Sequence, residues 1–216
     1  MSWFDTLRGA PARDAAPAAP FPLGARIKGA VTIDSLAFRL GDADFGFACP
    51  EGPQIIEAVG VIDLGDGALL HRLYLTDDAF VQIASTNGSV GDVTLFVYVD
   101  STNPANQAAF QSWVEPGSLL GAATFDYGGS TYQRVWGEGP DVRWTPPVAF
   151  DEKVYKHDAA TMDYDLTLYS MLYERGVGGS ERSELLLIAA EDSGPDTFCI
   201  SYALGVPLTR ADFEIT

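Results

Sequence analysis

The chain has 216 residues, 13 basic against 30 acidic side chains, a formal charge of −17, and 47% hydrophobic content. It is too apolar for a disordered acidic tail and can bury a core of ordinary size. So acidic a composition lacks the clustered Lys and Arg with which proteins approach phosphate backbones, so nucleic acid is excluded as an expected partner.

The first 24 residues read as a flexible N-terminal arm. Trp3, Phe4 and Leu7 form an aromatic tip, and Pro11, Pro17, Pro20 and Pro22 among alanines make an extended, semi-rigid spacer. Asp5 and Asp14 cancel Arg8 and Arg13, so the whole charge imbalance falls on residues 25–216, which are read as a single β-rich globular domain. Between Arg72 and Arg134, 61 consecutive residues carry neither Lys nor Arg. An acidic body with a sticky neutral tip fits a basic or membrane-associated protein partner.

From Arg26 onward the hydrophobic period is mostly two. Strands are expected over residues 27–33, 54–62, 69–75, 80–84, 93–99, 131–136, 164–173, 184–189 and 197–203. Asp66-Gly67 and Asn87-Gly88 are hairpin signals, because both residue types tolerate the positive φ of primed turns. Residues 93–99 are apolar on both faces, as in a strand covered on both sides. One helix is expected after Asn103 as N-cap and Pro104, with Ala109, Phe110, Trp113 and Val114 as its apolar stripe and Pro116-Gly117 as its stop. Pro146-Pro147 is the best candidate for a seam, and Thr209 with Asp212 predicts a last capped turn. The fold class is α+β, predominantly β, with antiparallel sheets forming a sandwich or partly open barrel under one main covering helix.

Chemical signatures are sparse. The phosphate loop, the nucleophile elbow, the zinc-protease helix and the dinucleotide fingerprint are all missing, so the chain is read as leaning away from an enzyme, with no cofactor. His71 and His157 lack a second His or Cys at metal-ligand spacing. Asp42-Ala43-Asp44 and Asp63 to Gly67 lack the ligand run of a calcium loop, so no metal is expected. Cys49 and Cys199 stand in apolar runs, as inert thiols do. No signal peptide or membrane-length apolar run is visible, and the reading is cytoplasmic.

Alternation places His71 with Leu69, Leu73 and Leu75, and Arg72 with Leu70 and Tyr74. A charge on an apolar face needs a partner. The candidate polar cluster is therefore Glu57, His71, Arg72 and Arg134, the last sharing a face with Tyr132 and Trp136. A pocket near Glu57, His71 and Arg72 would be the place for a cationic small molecule such as a polyamine.

The segments Phe21 to Ile27, Ile56 to Gly67, His71 to Leu75, Leu95 to Tyr98 with Asn103-Pro104, and Tyr132 to Gly137 resemble the YjfK-like family of bacterial proteins. The likeness covers roughly residues 21–216. The family is a domain of unknown function and offers no catalytic residues to carry over. Its members are often encoded beside a relative of the phage-shock protein A coat proteins, so the resemblance implies a role in envelope or membrane-stress biology, peripheral to the inner membrane. The expected function is a non-enzymatic cytoplasmic adaptor, with the cationic small-molecule domain as the alternative.

Overall fold

The computed structural model describes residues 21–35, 38, 45–137, 139, 141–178, 182–194 and 197–216. The aromatic tip of Trp3, Phe4 and Leu7 lies outside them, as do Asp42 and Asp44. The elements are β1 (Ala30–Ile33), β2 (Pro53–Gly65), β3 (Ala68–Leu75), β4 (Ala79–Thr86), β5 (Ser89–Thr102), helix α1 (Gln107–Val114), β6 (Thr124–Tyr127), β7 (Ser130–Arg134), β8 (Val148–Tyr155), β9 (Tyr164–Gly176), β10 (Ser183–Asp192), β11 (Phe198–Leu208) and β12 (Phe213–Ile215).

Eight of these strands close a ring. Around it β2 pairs with β3, then β4, β5, β11, β10, β9 and β8, and β8 returns to β2, every pairing antiparallel. The sandwich or partly open barrel expected from the sequence is thus a closed barrel with added strands. β1 and β12 extend the sheet beyond the upper part of β2, and the β6–β7 hairpin joins the lower part of β9. Closure leaves no long edge in the ring except where a ladder stops short.

Alternation divides each strand between lumen and exterior. Phe80, Phe96, Leu185, Leu187 and Ala203 fill one part of the lumen, and Ile62, Leu70, Leu168 and Ala189 another. Phe80 and Phe96 stack with centroids 5.0 Å apart. Outside, Val59, Leu73, Val81, Leu95 and Val206 form a second core covered by Phe21, Ala25, Val31 and Phe213. A third outer core, with Leu186, Ile188 and Ile200, is covered by Phe110 of α1 and Tyr132 of β7. Of residues 93–99, Val93, Leu95 and Phe96 are buried, whereas Thr94 and residues 97–99 are half-buried, so the cover on both sides expected for the whole run holds only for its first part.

Three differences from the sequence reading have physical causes. The helix starts later, because Asn106 rather than Asn103 is the N-cap, its Oδ1 accepting from Ala109 N at 3.0 Å. β6 and β12 are short and carry few apolar residues. β8 has Asp151, Glu152 and Lys153 in its middle, which hides its period from any hydrophobic reading. At the end, Thr209 N and Oγ1 both donate to Asp212 Oδ2, forming the capped turn that Thr209 and Asp212 announce.

Candidate functional site

The lumen holds a buried ion pair. Arg72 on β3 and Glu152 on β8 are 2% and 0% exposed, and Nη1 donates to Oε2 at 3.1 Å. Arg72 Nε donates to Gln82 Oε1 at 3.1 Å, Tyr74 OH donates to Glu152 Oε1 at 2.7 Å, and the guanidinium lies 5.4 Å from the centroid of Phe80. Burial alone would lower the Arg72 pKa, but Glu152 and then Tyr74 and Tyr98 raise it above its ordinary value. Burial first, and then the Glu152 charge, push the Tyr74 hydroxyl well up. Glu191 stands nearby on β10; burial raises its carboxyl, and the Ser201 hydroxyl, donating at 2.6 Å, offsets part of that. Hydrogen bonds join Arg72, Gln82, Glu152 and Tyr74, Arg72 Nη2 has no hydrogen-bond partner among the described residues, and together with the Phe80–Phe96 stack the cluster fills the middle of the barrel.

A second carboxylate is locked on the exterior. Glu184, fully buried, accepts from Arg175 Nη2 at 2.6 Å, from Tyr132 OH at 2.7 Å and from Gly46 N. Burial and then the hydrogen bond to Glu184 push the Tyr132 hydroxyl up to about 12. This group ties the segment around Gly46 to β7, β9 and β10.

With the middle plugged, the two ends of the barrel are separate concavities. At the lower end, where β2 turns into β3 and β4 into β5, the mouth is a cleft of about 940 Å³. Leu70, Val93, Phe150, Leu172 and Leu185 line it, and Gln82 links it to the ion pair. Trp136 forms one wall, edge-on to Phe150 at 5.9 Å, and the segment after β7 that carries it is pinned by Val135 N donating to Leu172 O at 2.8 Å. Asp92 is the one ionisable side chain among the described lining residues. Leu64, Val135 and Val148, which also line the mouth, are exposed by 47%, 42% and 37%. Exposed large apolar groups gathered at one concavity mark an interaction site.

The mouth continues sideways into the wall of the barrel. The β2–β8 ladder runs only from Val59↔Tyr155 to Ile62↔Glu152, although both strands continue beyond it. A register shift between Asp63 and Gly65 makes Leu64 a bulge in the β2–β3 ladder, braced by Gly65 N donating to Asp63 Oδ1 at 2.9 Å. Bulges bend a strand and end pairing. A cleft of about 800 Å³ runs from the paired part of β2 and β8, at Val61, Lys153 and Tyr155, down past the end of the ladder, and it shares Leu64, Val148 and Phe150 with the mouth.

The structure does not gather the four residues of the candidate polar cluster. Arg72 faces the lumen as alternation predicts, but its carboxylate partner is Glu152. His71 faces outward, 8% exposed, with Phe21 edge-on at 6.4 Å, and burial lowers its pKa. Arg134 lies on β7 and donates to the carbonyls of Gly121 and Val142, knitting loops together. Glu57 is exposed at the opposite end of the barrel, in a cleft of about 530 Å³ with Lys28, Lys156, His157 and Tyr164. There Asp163, accepting from Lys156 N and then His157, has its pKa lowered. Both cysteines are free thiols. Among the described residues no group of three His, Cys, Asp or Glu is placed to hold a metal ion, and no helix is long and apolar enough to cross a membrane.

Sequence reasoning missed Glu152 and the mouth. Glu152 had one usable signal, its place between Phe150 and Val154 at period two, which puts it on an apolar face opposite an unexplained arginine. The mouth had none, since its lining comes from all eight strands of the ring and the segment after β7.

Fold and site together define an antiparallel eight-stranded barrel with a plugged middle and an apolar lower mouth. The chain belongs to the family described as Protein of unknown function (DUF2491), whose model matches residues 3–214. It is similar to the Uncharacterized protein YjfK of Escherichia coli (strain K12), 32% identical over 201 residues that make up 90% of each chain. No solved structure matches it.

Proposed function

We propose that this chain is a non-enzymatic adaptor whose lower barrel mouth receives an apolar, positively charged segment of a protein partner. The observation that carries the reading is the mouth itself: apolar walls, three exposed large aliphatic side chains at its edge, and Asp92 as its ionisable group. The formal charge of −17 adds a long-range attraction for a basic partner, steering encounter more than it adds affinity. In the lumen Glu152 is engaged by Arg72 and Tyr74 and Glu191 by the Ser201 hydroxyl, and both serve the framework. Because the family resemblance implies that its members are often encoded beside a relative of the phage-shock protein A coat proteins, a coat protein of that kind at the cytoplasmic face of the inner membrane is the first partner to test. A photo-crosslinking residue at Val135 should yield a discrete adduct with that partner, whereas the same residue at Asp192, at the other end of the barrel, should not. Equal yields at both positions, or none at Val135, would overturn the reading.

The aromatic tip offers a second contact. The matched family region begins at residue 3 and so includes Trp3, Phe4 and Leu7. Removal of residues 1–9 should then abolish co-sedimentation with liposomes or with the partner, and unchanged recovery removes the tip from the proposal. A cationic small molecule at Glu57 is not carried forward, because Lys28, Lys156 and His157 line the same cleft.

A further inference from the structure

We infer that the open wall between β2 and β8 is a seat for an extended peptide strand. This rests on the adaptor reading and names the form its partner segment takes. Past the last pair, Ile62↔Glu152, continued register would set Asp63 against Asp151 and Leu64 against Phe150, yet the ladder ends and the cleft of about 800 Å³ reaches these residues. β8 keeps its pairing to β9 throughout this stretch, Val148↔Ser170 to Asp151↔Thr167, so its other edge carries the backbone groups that the β2 ladder leaves unpaired. Unpaired N–H and C=O groups in a row are a template for one more strand. A small apolar molecule in the mouth could not satisfy them, whereas a peptide backbone does.

The chemistry of the occupant follows from the flanks. Leu64, Val148 and Phe150 offer apolar contact to alternate side chains of an added strand, and they lead directly into the mouth, where a longer side chain would be swallowed. Asp63 and Asp151 outnumber Lys153 around the seat, and Asp66 stands in the adjoining turn. The occupant is therefore an extended segment alternating apolar and basic residues. The seat is short: three or four residues at about 3.3 Å each span the unpaired stretch. The β-bulge at Leu64 is the device that keeps the wall open.

The test uses the full chain and the synthetic heptapeptide acetyl-Lys-Val-Lys-Val-Lys-Val-Lys-amide, read by hydrogen exchange. In the free protein, the amides of residues 148–151 that point away from β9 should exchange at least tenfold faster than those in 152–155. The peptide should slow exchange in 63–65 and 148–151 at least tenfold. A copy with N-methylated central valines, or with Glu for every Lys, should bind at least tenfold more weakly. Asp63→Asn with Asp151→Asn, both at exposed positions, should weaken the lysine peptide severalfold without unfolding the protein. Protection of those outward amides already equal to that of 152–155 in the free protein would overturn the inference, as would the absence of peptide binding at millimolar concentration. Equal binding of the N-methylated peptide with protection only around Trp136 and Leu172 would also overturn it, and would leave the mouth reading standing.

Discussion

The Glu152 carboxylate occupies the space that a Cβ at Gly60 would fill. β2 and β8 are neighbours there, paired Gly60↔Val154, and the missing side chain on one strand makes room for the charged side chain of the other. Tyr74 closes the same space from β3. Gly60 is thus a packing requirement of the ion pair, at a backbone position that any residue could otherwise adopt.

Gly60→Ala should therefore destabilise the protein even though alanine suits a strand as well as glycine does. The added methyl must displace a bonded carboxylate, and overpacking of this kind costs about 1–3 kcal/mol. The urea midpoint of the variant should fall with no change in slope, and an unaltered midpoint would mean that Glu152 lies elsewhere.

Breaking the buried pair on one side should cost more than removing it. Arg72→Met or Glu152→Met alone leaves an uncompensated charge in the lumen, at about 3–5 kcal/mol. The double variant should recover much of that loss, since two apolar side chains of similar volume need no desolvation. A double-mutant cycle by chemical denaturation gives the coupling, and purely additive losses would contradict the geometry.

Glu191 sets a pH dependence of known sign. Its folded pKa is raised, chiefly by burial, so the folded state holds this proton more tightly than the unfolded state does. The contribution is fully present below the ordinary glutamate range and is lost as pH rises through the raised value. Glu191→Gln should consequently gain stability relative to the parent chain on going from about pH 4 to pH 8. The difference between the two urea midpoints, followed across that range, should rise with pH, and a flat difference would refute the assignment.

His71 acts with the opposite sign. Burial lowers its folded pKa, so the unfolded state takes up a proton first as pH falls below about 6.5. Stability present above that range is lost toward the lower folded value. His71→Gln should flatten the thermal-midpoint profile between about pH 6.5 and pH 5; a profile as steep as the parent's would place the acid sensitivity elsewhere.

Tyr132→Phe should remove one of the donors to Glu184 and leave a buried carboxylate short of a hydrogen bond, at about 1–3 kcal/mol. Since Gly46 N donates to the same carboxylate, Glu184→Gln should speed exchange of the Gly46 amide more than that of the β10 amides. Equal acceleration in both places would mean global loosening rather than a released segment.

Much of the strand content is legible in local pattern. The alternation around His71 and Arg72 is realised as read, because side chains in a strand have no choice but to face opposite ways. What failed was partner choice. Glu57 sits on β2, the immediate neighbour of β3, and so looked like the natural mate for Arg72, but a bulge between Ile56 and Ala58 and the strand's position at the barrel rim leave it exposed. The true mate is 80 residues away, in a strand masked by its own charges. Of the mouth, Leu64 falls in the loop expected after residues 54–62 and Val148 in no expected strand, and no local signal says that they meet.

Composition and periodicity by themselves determine an acidic, predominantly antiparallel β domain with one covering helix, because charge balance, turn residues and period-two alternation are local properties of the chain. Closure of the ring, the Arg72–Glu152 pair across its lumen and the early end of the β2–β8 ladder belong to tertiary structure alone. Each depends on which distant strands become neighbours and in what register, and a one-residue slip would turn Glu152 from the lumen to solvent.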